Sequence, residues 1–522
     1  MKKLNDVPFE KFQDGRYINN NVNRKHMYDL LNEKGPGFCL AKWTQVTMHL
    51  GVGLTHSCHH PGAHKIPLEE IEKNPGALHN TQFKKEKRKE MLNGKRPSEC
   101  DFCWRIEDNT KEYSDRVYKS LDQYSIYDHD KIVESTGDED FYPRYVEISF
   151  GNVCNFKCSY CGPTFSSKWV EEINQHGRYE FHDETNFNAY IDKQILERET
   201  NPYIEAFWKW FPDAVKHMHT FRITGGEPLL SKHTMRVMDY LLENPQPNLE
   251  FSINSNGNPP KNLWVEFTEK VNKMMNNNCI KKFTLFTSAE SSGYQAEYSR
   301  FGMDWDVFQE NIIYFLDNTI NTRVAFMSAF NILSLPTFID FLKWILELKQ
   351  KYNSSGLYSW FEECNIDTRK SLPYAYGKDY RERSNITKFS SRVGIDIPYV
   401  RNPVFLDANI STKQLIEDYL LPATEFMYRN SCDPDWDAVV GFEAWECAKL
   451  KRILIDVLCA VKDSTNKDNT TSNTNIANSR VKFVDFITEY DKRRNTSFLE
   501  AFPEMQEFFD VCLLEKQKQL DE

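Results

Sequence analysis

The sequence predicts an α/β protein built on a largely parallel sheet, closed as a partial barrel or wound as an open layer. Three observations predict it. From Arg144 onward, short β-rich runs alternate with helical runs of about ten to fifteen residues, the signature of βαβ units whose crossovers are right-handed. Five of the β-rich runs end in polar, glycine-bearing or cysteine-bearing segments, and parallel sheets gather function at the C-terminal ends of their strands. The chain has 522 residues, 40% of them apolar and 14% aromatic. That is enough for two or three domains with a sizeable core.

The elements follow in chain order. Residues 1–135 form a charged, loop-rich first region with helix signals at Pro67–Lys73 and at Thr81–Asn93, the latter closed by Gly94. The polar, acidic stretch Ser125–Pro143 reads as a connection. Residues 140–410 carry the alternation. Strands are expected at Arg144–Phe150, His219–Gly225, Leu249–Gly257, Lys281–Glu290 and Thr322–Ile332. Helices after the last four are expected around Thr234–Leu242, Asn262–Met275, Trp305–Leu316 and Pro336–Tyr352. Two runs compete for a sixth strand, Leu357–Glu363 and Asp396–Phe405. Residues 411–522 read as a helical C-terminal extension, interrupted by the low-complexity polar run Asp463–Ser479, which is expected to be a flexible loop.

Composition narrows the function classes. A formal net charge of -11 argues against nucleic acid as a general partner. The N-terminus has no apolar run behind Lys2 and Lys3, and no run approaches the length of a membrane span, so a soluble, cytoplasmic protein with no membrane partner is expected. Thirteen cysteines, an odd number, argue against a disulfide framework and for reduced thiols or metal binding. Cys279, Cys364, Cys432, Cys447, Cys459 and Cys512 are scattered and read as small buried hydrophobes.

The remaining cysteines cluster. Cys154, Cys158 and Cys161 follow the first strand at C-x3-C-x2-C spacing with no fourth cysteine nearby. Three soft thiolates suit three irons of a cubane and leave the fourth iron open, whereas a structural zinc site wants four protein ligands. Gly225 and Gly226 end the second strand and allow close backbone approach, and Glu227 offers a carboxylate to an ammonium group. Asn254, Ser255 and Asn256 end the third strand with groups suited to a sugar. Ser288 and Glu290 end the fourth, Asn331 the fifth, and Arg300 could pair with a carboxylate. Each feature alone has a blander meaning: Gly-Gly and Asn-Gly mark turns, and Glu290 with Arg300 makes a rim ion pair.

"CNFKCSYC" followed by "TGGEP" resembles the radical S-adenosylmethionine (SAM) superfamily. The resemblance covers roughly Arg144 to Tyr352. It implies a partial (β/α)6-type barrel and a [4Fe–4S] cluster on Cys154, Cys158 and Cys161, with Tyr160 at the family's aromatic position. It also implies S-adenosyl-L-methionine bound at the open iron, contacted by Gly225, Gly226, Glu227, Ser255, Asn256, Ser288, Glu290, Arg300 and Asn331. The implied activity is reductive cleavage of SAM to a 5′-deoxyadenosyl radical that abstracts substrate hydrogen, with an electron donor such as flavodoxin or ferredoxin.

Cys39, with Trp43 four residues on, then Cys58 after an expected hairpin, then Cys100 and Cys103 after a helix, resemble the auxiliary-cluster module called SPASM or twitch. The order departs from its best-known bearers, because here the module precedes the barrel. The resemblance implies a second, closed Fe–S cluster on these four cysteines, with structural zinc as the alternative. Such modules accompany modification of peptides or proteins, which is the first expectation for substrate. A small molecule such as a sugar or nucleoside, and a non-catalytic Fe–S or zinc-bearing binding protein, are the alternatives.

Overall fold

Strand formation follows the two-residue alternation of the sequence. In Tyr145–Ser149, Val146 and Ile148 are fully buried while Tyr145 and Glu147 are half-buried; in Thr220–Thr224, Phe221 and Ile223 are buried and Arg222 half-buried. This periodicity gives each strand one apolar face. Phe221 meets Phe207 and Phe211 of the helix Pro202–Ala214, so that face lies against a helix.

The computed structural model describes residues 2–12, 15–179, 200–363, 392–431, 440–465 and 470–521. Cys364 and Cys432 lie outside the described residues. The strands are β1 (Gln45–His49), β2 (Leu54–His56), β3 (His64–Lys65), β4 (Tyr145–Ser149), β5 (Lys157–Cys158), β6 (Thr220–Thr224), β7 (Gln246–Ser255), β8 (Ile280–Thr287), β9 (Arg300–Phe301), β10 (Thr322–Met327) and β11 (Val393–Asp396). Nine of them form one mostly parallel sheet in the order β11-β10-β8-β7-β6-β4-β1-β2-β3, and β5 pairs with β9 separately. From β4 to β11 the order in the sheet is the order in the chain, without the reversal that marks a doubly wound switch point. Among the described residues, no helix is long and apolar enough to cross a membrane.

All five expected strands of the α/β region are present within a few residues of their expected bounds. The sixth needs correction. Leu357–Glu363 continues the helix Phe338–Glu363 in spite of Asn353, Ser354, Ser355 and Gly356 before it, because a short apolar run is ambiguous between strand and helix. The sixth parallel strand is Val393–Asp396, which touches the other candidate only at its last residue and pairs Val324↔Val393 through Met327↔Asp396. The polar run expected as a loop at 463–479 is also corrected. Asp463 to Thr465 end one helix, and Thr470 begins the helix Thr470–Arg494. Its Asn, Ser and Thr are poor helix formers, but Phe483, Val484, Phe486, Ile487 and Tyr490 on the same helix are buried, and such packing outweighs propensity.

The first 135 residues do not stand apart from the sheet. The hairpin β1–β2 forms as expected, and β1 runs parallel to β4 with Gln45↔Tyr145 through His49↔Ser149. Contacts divide the chain into two compact units, the first being Met1–Gly151, Lys193–Ser252 and Asn277–Lys282, the second Asn152–Asp192, Ile253–Asn276 and Phe283–Glu522.

Candidate functional site

In the second unit the three-cysteine loop is fastened by backbone. Cys158 in β5 pairs with Arg300 in β9, Lys157 with Phe301, and the Ser159 N–H donates to Ser299 O at 2.8 Å. Gly302 permits the approach: its φ is +106°, and a Cβ there would stand 2.7 Å from Asn155 O. Asn155 ties the loop to the end of β7, donating to Asn258 O at 2.8 Å and accepting from Asn256 Nδ2 at 2.7 Å. Cys154 and Cys158 are buried and Cys161 half-buried. The Phe156 N–H donates to Cys154 Sγ at 3.4 Å.

Three expected site residues meet beside this loop. Tyr160 Oη donates to Glu290 Oε2 at 3.0 Å, and Arg300 Nη1 donates to Tyr160 Oη and, at 3.4 Å, to Glu290 Oε2. Burial pushes the Glu290 carboxyl up, against the pull of Arg300. Burial pushes the Cys161 thiol up to about 12, with Cys158 adding to it. Arg300 stays firmly protonated: burial opposes its charge, but Cys158, Tyr160, Glu290 and Cys154 more than offset that.

The other expected contacts are engaged locally. Ser255 Oγ accepts from the Gly257 N–H at 3.1 Å and Asn256 Oδ1 from the Asn258 N–H at 2.9 Å, so both shape the turn after β7. Asn331 is fully buried and caps Ile332–Ser334, accepting from the Leu333 N–H at 2.9 Å. Ser288 is half-buried at the end of β8.

Unsatisfied atoms lie on residues tied to the cysteine loop. Glu290 Oε1, Arg300 Nε, Ser159 Oγ and Ser299 Oγ are buried without a hydrogen-bond partner. Buried polar atoms are normally paired, because each unpaired one costs about 1–3 kcal/mol. Their concentration beside three thiols, a carboxylate and a guanidinium fits a polar ligand together with a thiolate-held metal group. Among the described residues no three His, Cys, Asp or Glu side chains are placed to share one metal ion. The thiolates of a cubane each hold a different iron, a wider arrangement than that around one ion.

In the first unit, Gly225 lies at the end of β6 with φ +124°, and a Cβ there would stand 2.6 Å from Ser149 Oγ and 2.8 Å from Gly151 O. The Gly226 N–H donates to Gly151 O at 3.4 Å. Glu227 is 1% exposed and caps Pro228–Leu230, its Oε1 accepting from the Leu229 N–H at 3.0 Å.

The same unit brings the four N-terminal cysteines together. Cys39, Cys58, Cys100 and Cys103 line one pocket with Asp115, Arg116 and Lys119. Burial pushes the Cys39 thiol up to about 12, and Cys103, Cys58 and Cys100 each add to it. Cations stand close by. Buried Lys42 pairs with Glu99, and its ammonium is held by Cys100 and Cys58 as well, against the opposing effect of burial. Fully buried Lys84 donates to Thr55 Oγ1 and His56 O, and fully buried Arg88 to Lys42 O and Asn80 Oδ1, all neutral acceptors. Burial pushes the Lys84 ammonium well below its ordinary value, so the positive charge that acts on the thiols is that of Lys42 and Lys119, which an anionic four-thiolate metal site complements. His59 is exposed, and His60 lines the same pocket and pairs with Asp115 at 2.7 Å.

Sequence reasoning missed Lys84 and Arg88, because "KKEKRKE" reads as a solvated helix face. It also missed Arg494, which bonds the cysteine loop through Lys157 O at 2.7 Å from far along the chain. No local signal marks that arginine. No family model matches the chain, and no curated protein and no solved structure matches it either.

Proposed function

We propose that the protein is a radical SAM enzyme, a partial (β/α) barrel with a twitch-like auxiliary module on its N-terminal side. The observation that carries this is the gathering of Tyr160, Glu290 and Arg300, with their unsatisfied neighbours, beside the Cys154–Cys158–Cys161 loop. When bound, a [4Fe–4S] cluster there supplies the electron that cleaves SAM to methionine and a 5′-deoxyadenosyl radical, which takes hydrogen from the substrate.

The chain's own part is holding and charge. Cys154, Cys158 and Cys161 hold the cluster. Arg300 offers its free Nε to a carboxylate and Glu290 its free Oε1 to an ammonium, while Tyr160 keeps the two side chains in place. Gly225 keeps the backbone after β6 close against β4. The four N-terminal thiols hold a second cluster, with zinc as the alternative, and Lys42 beside them favours its negative charge. A peptide or protein is the proposed substrate and a low-potential flavodoxin or ferredoxin the electron source.

A non-catalytic reading has one observation in its favour: Glu290 and Arg300 already satisfy each other in part. Anaerobic reconstitution separates the two. The enzyme reading expects about eight irons per chain. It also expects dithionite-driven formation of 5′-deoxyadenosine from SAM, abolished in Cys158→Ala. A fully loaded chain that leaves SAM intact sinks it.

A further inference from the structure

The C-terminal extension reaches the cysteine loop by a buried route. Arg494, at the end of the helix Thr470–Arg494, donates through Nε and Nη2 to Glu172 Oε2 at 2.9 Å and Oε1 at 3.2 Å, and through Nη1 to Lys157 O at 2.7 Å. Its side chain is 0% exposed and stacks on the Tyr490 ring with 3.7 Å to the centroid. Lys157 Nζ also bonds Glu172 Oε2, at 2.7 Å. Two cations on one carboxylate leave a unit of positive charge beside the residue that precedes Cys158. The same helix braces the segment that leads into β9: Tyr490 Oη donates to Tyr298 O, and Tyr298 Oη to Asp491 at 2.8 Å, Tyr298 standing in the helix Gly293–Ser299 just before Arg300.

We propose that Arg494 is a positioning residue that holds the Cys158 segment and, through its permanent charge, raises the reduction potential of the cluster on that loop. This rests on the radical SAM reading. A fixed cation in a low-dielectric surrounding stabilises the added electron, so its removal makes reduction harder. The tail is then a working part of the site.

The test is an EPR-monitored redox titration of the reconstituted holoenzyme, following the signal that changes when SAM is added. Arg494→Gln is expected to lower the equilibrium constant for one-electron reduction about tenfold, a shift of about 59 mV to more negative potential. Arg494→Lys retains the charge and stays near wild type. Glu172→Gln removes the opposing carboxylate and moves the potential the other way. Opposite signs for Arg494→Gln and Glu172→Gln at wild-type iron content support the inference. Equal signs, or unchanged potentials, overturn it and leave the enzyme reading standing. A wild-type chain that takes up no iron at Cys154, Cys158 and Cys161 overturns both.

Discussion

Arg300 and Glu290 form a buried ion pair, Nη1 to Oε2 at 3.4 Å, with side chains 5% and 0% exposed. The Tyr160 hydroxyl bonds both. A buried pair is a poor source of net stability, yet removing one member leaves an uncompensated charge. Arg300→Met is therefore expected to destabilise the chain by about 3–5 kcal/mol, and the double variant Arg300→Met/Glu290→Leu by much less. Urea midpoints of both variants check this. Equal losses would mean the pair acts through packing alone.

Gly225→Ala is expected to cost about 1–3 kcal/mol, since a φ of +124° is unfavourable for alanine. The new methyl group would also meet Ser149 Oγ at 2.6 Å and Gly151 O at 2.8 Å, which forces the end of β6 away from β4. Thermal unfolding reads the loss, and Gly226→Ala serves as the comparison, expected to be milder.

What the sequence made legible was periodic or local. Val146, Ile148, Phe221 and Ile223 alternate with polar neighbours, so β4 and β6 declare themselves. The spacing of Cys154, Cys158 and Cys161 needs no partner to be seen. The strand Val393–Asp396 hides because four residues containing a glycine carry no period, and only β10 beside it makes it a strand. The pairing of Cys158 with Arg300 joins segments far apart in the chain, and nothing near either residue signals it. Lys84 and Arg88 mislead for a different reason. Charge on a Lys/Glu-rich helix normally faces water, and here both side chains turn inward onto the neutral acceptors Thr55, His56, Lys42 and Asn80.

Cys100→Ser should separate the two thiol sites. If Cys39, Cys58, Cys100 and Cys103 hold a [4Fe–4S] cluster, the variant is expected to lose about four of eight irons while still cleaving SAM at the other loop. If they hold zinc, it loses about one zinc and no iron. Metal analysis by mass spectrometry distinguishes these outcomes, and an unchanged content of both metals would remove Cys100 from the ligand set.

Glu172 gives the clearest pH dependence. Burial alone would raise its carboxyl, but Arg494 and Lys157 overcome this and hold it at about 2, below the ordinary value of 4.5. The folded chain therefore binds this proton less readily than the unfolded chain. The stability from the pair is fully present above about pH 4.5 and is lost as pH falls toward about 2. The full loss is on the order of 3 kcal/mol, from about 2.5 units at 1.36 kcal/mol each. Because acid also strips iron from thiolates, the measurement belongs on the iron-free chain. Urea unfolding at pH 6 and pH 3 is expected to show the gap between wild type and Glu172→Gln narrowing at the lower pH, since glutamine has no proton to take up. A gap of constant size across that range would mean that the Arg494 and Lys157 contacts do not hold the carboxylate in its charged form.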